Sequence, residues 1–170
     1  MNKKLKKILI ANRNEIASRI QITCKKLNIK TVAIYSPEDK FSQFVHDADE
    51  AVPLTKCGSS AYLEQNEILK IAKKTKVDAI IPGYGFLSEN STFAQKVIDS
   101  GLTWIGPKPK IIELMGNKSI ARKIMDKIKI PTIPGFKLSF NEIKKGKKLA
   151  KQIGYPILLK DPLGGGGKGM

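Results

Sequence analysis

Lys7-Ile8-Leu9-Ile10-Ala11, then Asn12-Arg13-Asn14, then Glu15-Ile16-Ala17-Ser18-Arg19-Ile20-Gln21-Ile22-Thr23-Cys24, and further on Thr31-Val32-Ala33-Ile34-Tyr35 make up the stretch that decides the fold. The first run is short, apolar and continuous, as suits a strand covered on both faces. Behind it Ile16, Ala17, Ile20, Cys24 and Leu27 recur at helical spacing. The second run is again continuous, and Ser36-Pro37 stops it. Strand, helix, strand in so few residues is a βαβ unit, which requires a parallel sheet.

The alternation continues outward. Ala51 to Leu54 reads as a third strand, and Ile68, Leu69 and Ala72 as a helical stripe. Ala79-Ile80-Ile81 is a fourth strand, ended by Pro82-Gly83. A helix from near Ser91 is expected to bury Phe93, Ala94, Val97 and Ile98, with Gly101 as its cap. Leu102 to Ile105 gives a fifth strand, stopped by Gly106-Pro107. The fold class is α/β, with a Rossmann-like parallel sheet over residues 1–106.

Residues 107–135 read as a helical connection and linker. They hold a helix around Lys110 to Met115 and a second one capped by Asn117 and running to about Ile128, with inner face Ile120, Ala121, Ile124, Met125 and Ile128. Pro131 and Pro134 forbid a helix over Ile130 to Gly135. Residues 136–170 then read as the start of another domain. The expected order is a strand at Phe136 to Leu138, a capping box from Ser139 to Glu142, a helix ending at Gly154, and a strand from Ile157 to Lys160 leading into Gly164-Gly165-Gly166-Gly167-Lys168-Gly169. One helix and two strands cannot close a core, so this second domain is expected to be truncated at Met170.

Composition narrows the function classes. The net charge of +16 comes from 31 basic and 15 acidic residues, and only three of the basic ones, Arg13, Arg19 and Arg122, are arginine. Base readout favours the arginine fork and single-strand binding favours stacked aromatics, which are 6% here, so a nucleic-acid partner is not expected. The charge is uneven: residues 107–170 carry 15 basic and 4 acidic groups, which fits an anionic ligand near that part. No apolar run is long enough for a membrane span or a signal sequence, and a cytoplasmic location without membrane contact is expected. Cys24 and Cys57 stand apart from each other and from the single His46, so neither a structural metal nor a disulfide framework is expected.

Four places can carry chemistry. Glycines after a strand let backbone N–H groups wrap a phosphate, and Lys168 adds a point charge, although a run of glycines also serves as a plain linker. Its spacing is neither a Walker A loop nor a dinucleotide fingerprint. Lys160 ends an apolar strand and either meets an anionic partner or snorkels into solvent. Lys118 lies in a helix's first turn, where the dipole also favours anions, or is one more surface lysine. Pro82-Gly83-Tyr84-Gly85-Phe86-Leu87-Ser88-Glu89-Asn90 sits where open α/β sheets bind ligands, and reads as a site or as a tight turn packed by Phe86 and Leu87. His46, beside Asp47 and Asp49, reads as a solvated loop residue.

Taken together, several segments resemble the biotin carboxylase family from about Lys7 to Met170. They are Ile10 to Arg13 with Glu15-Ile16-Ala17, Ala48 to Val52, Tyr62-Leu63, Pro82 to Asn90, Ile105-Gly106-Pro107, Met115 to Lys118, Pro131 to Gly135, Gly154-Tyr155-Pro156, Lys160, and Gly164 to Met170. The resemblance implies a pre-ATP-grasp domain followed by the beginning of an ATP-grasp domain. It implies ATP with Mg2+, whose protein ligands are expected beyond Met170, and bicarbonate that forms carboxyphosphate to carboxylate carrier-bound biotin. By position, Lys118 and Lys160 are similar to ATP ligands, Gly165, Gly166, Gly167 and Lys168 to the loop that closes over the phosphates, and Tyr84 to the tyrosine near biotin and bicarbonate. No catalytic residue is expected within the chain.

The implied partners are a biotin carboxyl carrier protein and carboxyltransferase subunits, with a homodimer also possible for the enzyme. Four departures from the family pattern stand out: Asn14 in place of a glycine, Phe44 and Ile81 in place of histidines, and Asp161-Pro162-Leu163 in place of small residues. A polypeptide of residues 1–170 is expected to be inactive alone. Two other readings share some of these features: a non-catalytic nucleotide-binding or interaction module, and another ATP-grasp ligase of the carbamoyl-phosphate type.

Overall fold

The computed structural model describes residues 4–160, which divide into two compact units between Ile112 and Glu113. In the first unit the chain runs β1 (Lys7–Ile10), α1 (Asn14–Lys26), β2 (Lys30–Tyr35), a one-turn α2 (Gln43–His46), β3 (Glu50–Pro53), α3 (Gln65–Lys74), β4 (Ala79–Ile81), α4 (Ser91–Asp99) and β5 (Thr103–Trp104). All five strands are parallel in the order β3-β2-β1-β4-β5. The central strand β1 aligns Leu9 with Val32 of β2 and with Ile80 of β4.

Period-two alternation sends successive side chains of these strands to opposite faces. Leu9, Val32, Ile34 and Ile80 meet Ile68, Ile71 and Ala72 of α3 and Phe93, Ala94 and Val97 of α4. Ile8, Ile10, Ala33 and Ala79 meet Ala17 and Cys24 of α1 and Phe44 and Val45 of α2. Both faces are therefore dry, which explains why β1 after Lys7 has no polar residue to alternate with. Burial of each large aliphatic side chain here contributes about 1.5–3 kcal/mol.

Several expectations shift at the edges. The third strand begins one residue earlier than read, and the fifth shrinks to Thr103–Trp104. Leu27 and Ile98, assigned to buried stripes, are exposed at the carboxyl ends of their helices.

The second unit contains α5 from Glu113 onward (Pro109–Gly116 as a whole), α6 (Lys118–Lys127) and α7 (Ile143–Ile153). The Asn117 side chain caps α6 by accepting from the backbone N–H of Ser119 and Ile120, at 3.0 and 3.1 Å. The capping box from Ser139 to Glu142 is present ahead of α7. The linker returns on α6 through the Ile130 N–H to the Met125 carbonyl at 2.9 Å, and through Arg122, which donates to Thr132 Oγ1 at 3.2 Å and to the Ile133 carbonyl.

Two expectations fail in this unit. Phe136 to Leu138 and Ile157 to Lys160 take irregular backbone, not strands. A strand exists by pairing, and no neighbouring strand is available to either among the described residues. Nor is the expected inner face of α6 buried: no residue of α6 is, and Ile120 and Ile128 are exposed.

Candidate functional site

In this strand order the chain reverses direction between β1 and β4, and the crevice beyond their carboxyl ends is where open α/β sheets hold ligands. Here the Asn12 side chain reaches across it. Asn12 leaves β1 fully buried. Its amide nitrogen donates to the carbonyls of Pro82 at 2.7 Å and Tyr84 at 2.8 Å, and its Oδ1 accepts from the Arg13 N–H at 2.8 Å. The two carbonyls flank Gly83, which has φ +65 and no space for a Cβ: one placed there would lie 2.6 Å from Ile16 Cγ2. Only glycine meets both conditions.

The rest of the loop is fixed at several points. Ser88 N–H donates to the Gly85 carbonyl at 2.9 Å, and Asn90 Oδ1 accepts from Phe93 N–H at 2.8 Å to cap α4. Leu87 is buried, and the Phe86 ring packs at 5.3 Å from that of Tyr62. Tyr84 is the exception: 59% of it is exposed, and its hydroxyl donates to Glu15 Oε2 at 2.8 Å. That hydrogen bond raises the phenol's pKa above its ordinary value. The turn reading therefore holds, since Phe86 and Leu87 anchor the loop and leave Tyr84 exposed.

Beside the crevice lies a buried polar cluster. Tyr62 hydroxyl donates to Asp39 Oδ2 at 2.6 Å and accepts from Ser36 N–H at 3.1 Å, while Arg13 pairs with Asp39 Oδ1 and lies 5.7 Å from the Tyr62 ring centroid. Burial, with the bond to Asp39, pushes the Tyr62 phenol well up. The bond to Asp39 likewise raises the Arg13 guanidinium. Paired this way, the cluster ties the exits of β1 and β2 to the segment ahead of α3. On the other face of the sheet, α1 borders an apolar groove of about 460 Å³ lined by Ile8, Ile16, Ile20, Leu27, Ile81 and Ile105 among others.

Lys118 opens α6 and is exposed, and Lys160 is exposed at the end of its irregular segment. Both belong to the second unit and Tyr84 to the first. A cation at the amino end of a capped helix suits an anionic phosphate. Gly165, Gly166, Gly167 and Lys168 lie outside the described residues. Among the described residues no group of three His, Cys, Asp or Glu side chains could hold a metal ion, and His46 is exposed at the end of α2. No described helix is long and apolar enough to cross a membrane. The departures at Phe44 and Ile81 go to packing, Phe44 buried and Ile81 against the same apolar cluster. Asn14 adopts φ +49, the left-handed geometry that Asn tolerates.

Sequence reasoning singled out Tyr84 but gave no role to Asn12, Glu15, Asp39 or Ser36. The usable signal for Asn12 was its position, an amide directly after an apolar strand at the sheet's reversal point.

The sequence and fold have counterparts among known proteins. Residues 4–112 match the family described as "Biotin carboxylase, N-terminal domain", and residues 117–170 match "Carbamoyl-phosphate synthase L chain, ATP binding domain". The chain is 49% identical over 165 residues to Biotin carboxylase 2 of Bacillus subtilis, covering 96% of the chain and 37% of that protein. It is 41% identical over 174 residues to pyruvate carboxylase of Schizosaccharomyces pombe, covering 100% of the chain and 15% of that protein. Among solved structures, the biotin carboxylase domain dimer of Hydrogenobacter thermophilus 2-oxoglutarate carboxylase, in complex with MgADP, ADP and bicarbonate, is 43% identical with a TM-score of 0.91. That match covers 98% of the chain and 37% of the solved one. The chain thus spans little more than a third of its relatives' length, or less.

Proposed function

The chain belongs to the biotin carboxylase family, and from that premise we propose that it supplies the amino-terminal domain and the opening of the ATP-binding domain for ATP-dependent carboxylation of biotin. The observation that carries this is the succession of the two family matches along one chain, residues 4–112 and then 117–170. In this reading bicarbonate and ATP give carboxyphosphate, and the carboxyl group passes to biotin on a carrier protein and then to a carboxyltransferase. Lys118, Lys160, Lys168 and the backbone of Gly165, Gly166 and Gly167 hold the nucleotide's phosphates. The bound Mg2+ neutralises phosphate charge. Tyr84, by its likeness to the family's loop tyrosine, is assigned to biotin and bicarbonate.

The enzyme works as a homodimer, a reading supported by the dimeric biotin carboxylase domain of the Hydrogenobacter thermophilus relative. Residues 1–170 alone are expected to turn over no ATP, since they span 37% of Biotin carboxylase 2 of Bacillus subtilis. The test has two arms. The 170-residue polypeptide is assayed for ATP binding and for bicarbonate-dependent ATP hydrolysis, with binding and no turnover expected. It is then grafted in place of the matching stretch of Bacillus subtilis Biotin carboxylase 2. Recovered biotin carboxylation supports the proposal. An inactive graft beside normal ATP binding favours a nucleotide-binding module instead.

A further inference from the structure

We propose that Asn12 is a positioning residue for the reaction, holding the backbone on both sides of Gly83 so that Tyr84 is presented to substrate. The role of Tyr84 rests on the function proposed above, whereas the role of Asn12 in fixing the loop does not.

The geometry is specific to an amide. Both N–H bonds of Asn12 are used on the Pro82 and Tyr84 carbonyls, at 2.7 and 2.8 Å, and the opposite oxygen accepts from Arg13 N–H at 2.8 Å. Flipping the amide would set its oxygen against two carbonyl oxygens, so the orientation is unique. Asp at this position keeps the shape and loses both donors, and Ala loses every bond. The side chain is 0% exposed, so water cannot replace what is lost.

Asn12 reaches across the crevice from β1 to the loop after β4, 70 and 72 residues further along the chain. Without it the turn at Gly83 keeps its steric limit against Ile16 but no polar anchor, and Tyr84 keeps only its exposed bond to Glu15. Leu87 and the Asn90 cap hold the far end of the loop, so the freedom gained falls on Gly83, Tyr84 and Gly85. A shift of about 1 Å at a substrate-facing group costs on the order of 100-fold in rate.

The primary experiment is amide hydrogen exchange on the full 170-residue chain and on its Asn12→Ala and Asn12→Asp variants. Loop amides that are hydrogen-bonded in the parent, chiefly that of Ser88, whose N–H donates to the Gly85 carbonyl at 2.9 Å, are expected to exchange about 10–100-fold faster in both variants as Gly83 to Gly85 loosen. Those of β1 and β4 should stay within about twofold of the parent. Equal acceleration throughout the sheet, unfolding of both variants, or an unchanged loop overturns the proposal, making Asn12 a core residue or an idle one.

The same substitutions in the Bacillus subtilis graft then read the reaction. The kcat for biotin carboxylation should fall about 10–100-fold while the KM for ATP stays within about twofold. A loosened loop with unchanged kcat removes the catalytic part of the proposal. An inactive unsubstituted graft counts against the function itself and leaves the exchange result to decide on Asn12.

Discussion

The two units hold themselves together by different means. In the first, both faces of a five-stranded parallel sheet are sealed by apolar side chains, and Leu9, Ile10, Val32, Ile34 and Ile80 have no exposure at all. In the second, no residue of α6 is buried, and α7 buries only Gly146 and Ala150. Its described ties are caps and polar contacts of the linker, such as Thr132 Oγ1 to Asp126 Oδ1 at 2.9 Å. An apolar stripe is therefore worth what covers it. The same kind of residue, Ile124 in α6 and Ile68 in α3, is core in one unit and partly exposed surface in the other.

The largest expected effect sets that contrast against itself. Leu9→Ala removes a side chain packed from both neighbouring strands, and should cost about 2–5 kcal/mol in urea denaturation. Ile124→Ala should cost less by the same measurement, about 1–2 kcal/mol, since Ile124 is partly exposed where Leu9 is fully covered. Comparable losses at the two positions would break the distinction between the units.

Next in size is the polar cluster at the sheet's edge. Tyr62→Phe leaves Asp39 and the Ser36 N–H short of a partner in a buried site, and should cost about 1–3 kcal/mol near neutral pH. The pH dependence has a definite sign. The Tyr62 phenol is raised above its ordinary value of 10.0, mainly by burial and then by the bond to Asp39. Folding therefore gains from Tyr62 fully below pH 10.0, and loses that gain as pH climbs from there towards the folded-state value. The parent should weaken above pH 10 more steeply than Tyr62→Phe in a pH series of chemical denaturation. Parallel alkaline curves would mean that the phenol is not held neutral by the fold.

That cluster also marks where sequence reading stops. The strands β1, β2 and β4 were legible because a run covered on both faces needs no partner identity to be recognised as apolar. Arg13, the Ser36 to Asp39 turn and Tyr62 come together from three separate segments, and nothing in the spacing between those segments encodes the meeting. Asn12 is the same case over 70 residues. Phe136 to Leu138 and Ile157 to Lys160 failed in the opposite way, since a local pattern was present and the pairing that makes a strand was not. Tyr84 was found through its place after a strand and its likeness to a family loop. The clamp that presents it was invisible, because it consists of backbone carbonyls.

A smaller effect probes how α6, which has no buried residue among those described, is held. Asn117 accepts from two N–H groups that α6 otherwise leaves unpaired. Asn117→Ala should cost about 1 kcal/mol and shorten α6 from its amino end. Circular dichroism and exchange at Ser119 and Ile120 read it, and the sheet of the first unit should not respond. A cap whose loss leaves α6 intact would show that this helix draws on packing after all.

The smallest effect lies on the exposed rim of the first unit, where burial gives no help. Glu38 accepts from Gly58 N–H at 3.0 Å, and that bond is the main cause of a carboxyl pKa lowered from 4.5 to about 2. A depressed carboxyl stabilises the fold above its ordinary value and loses that contribution as pH falls through the folded one. The stability difference between the parent and Glu38→Gln should therefore be constant above pH 4.5, shrink below it, and vanish near pH 2. Because the group is fully solvated, screening keeps the difference small, and it should shrink further in high salt. A difference that persists at pH 2 would assign the contribution to packing of the side chain, and the rim of the first unit would then belong with its core.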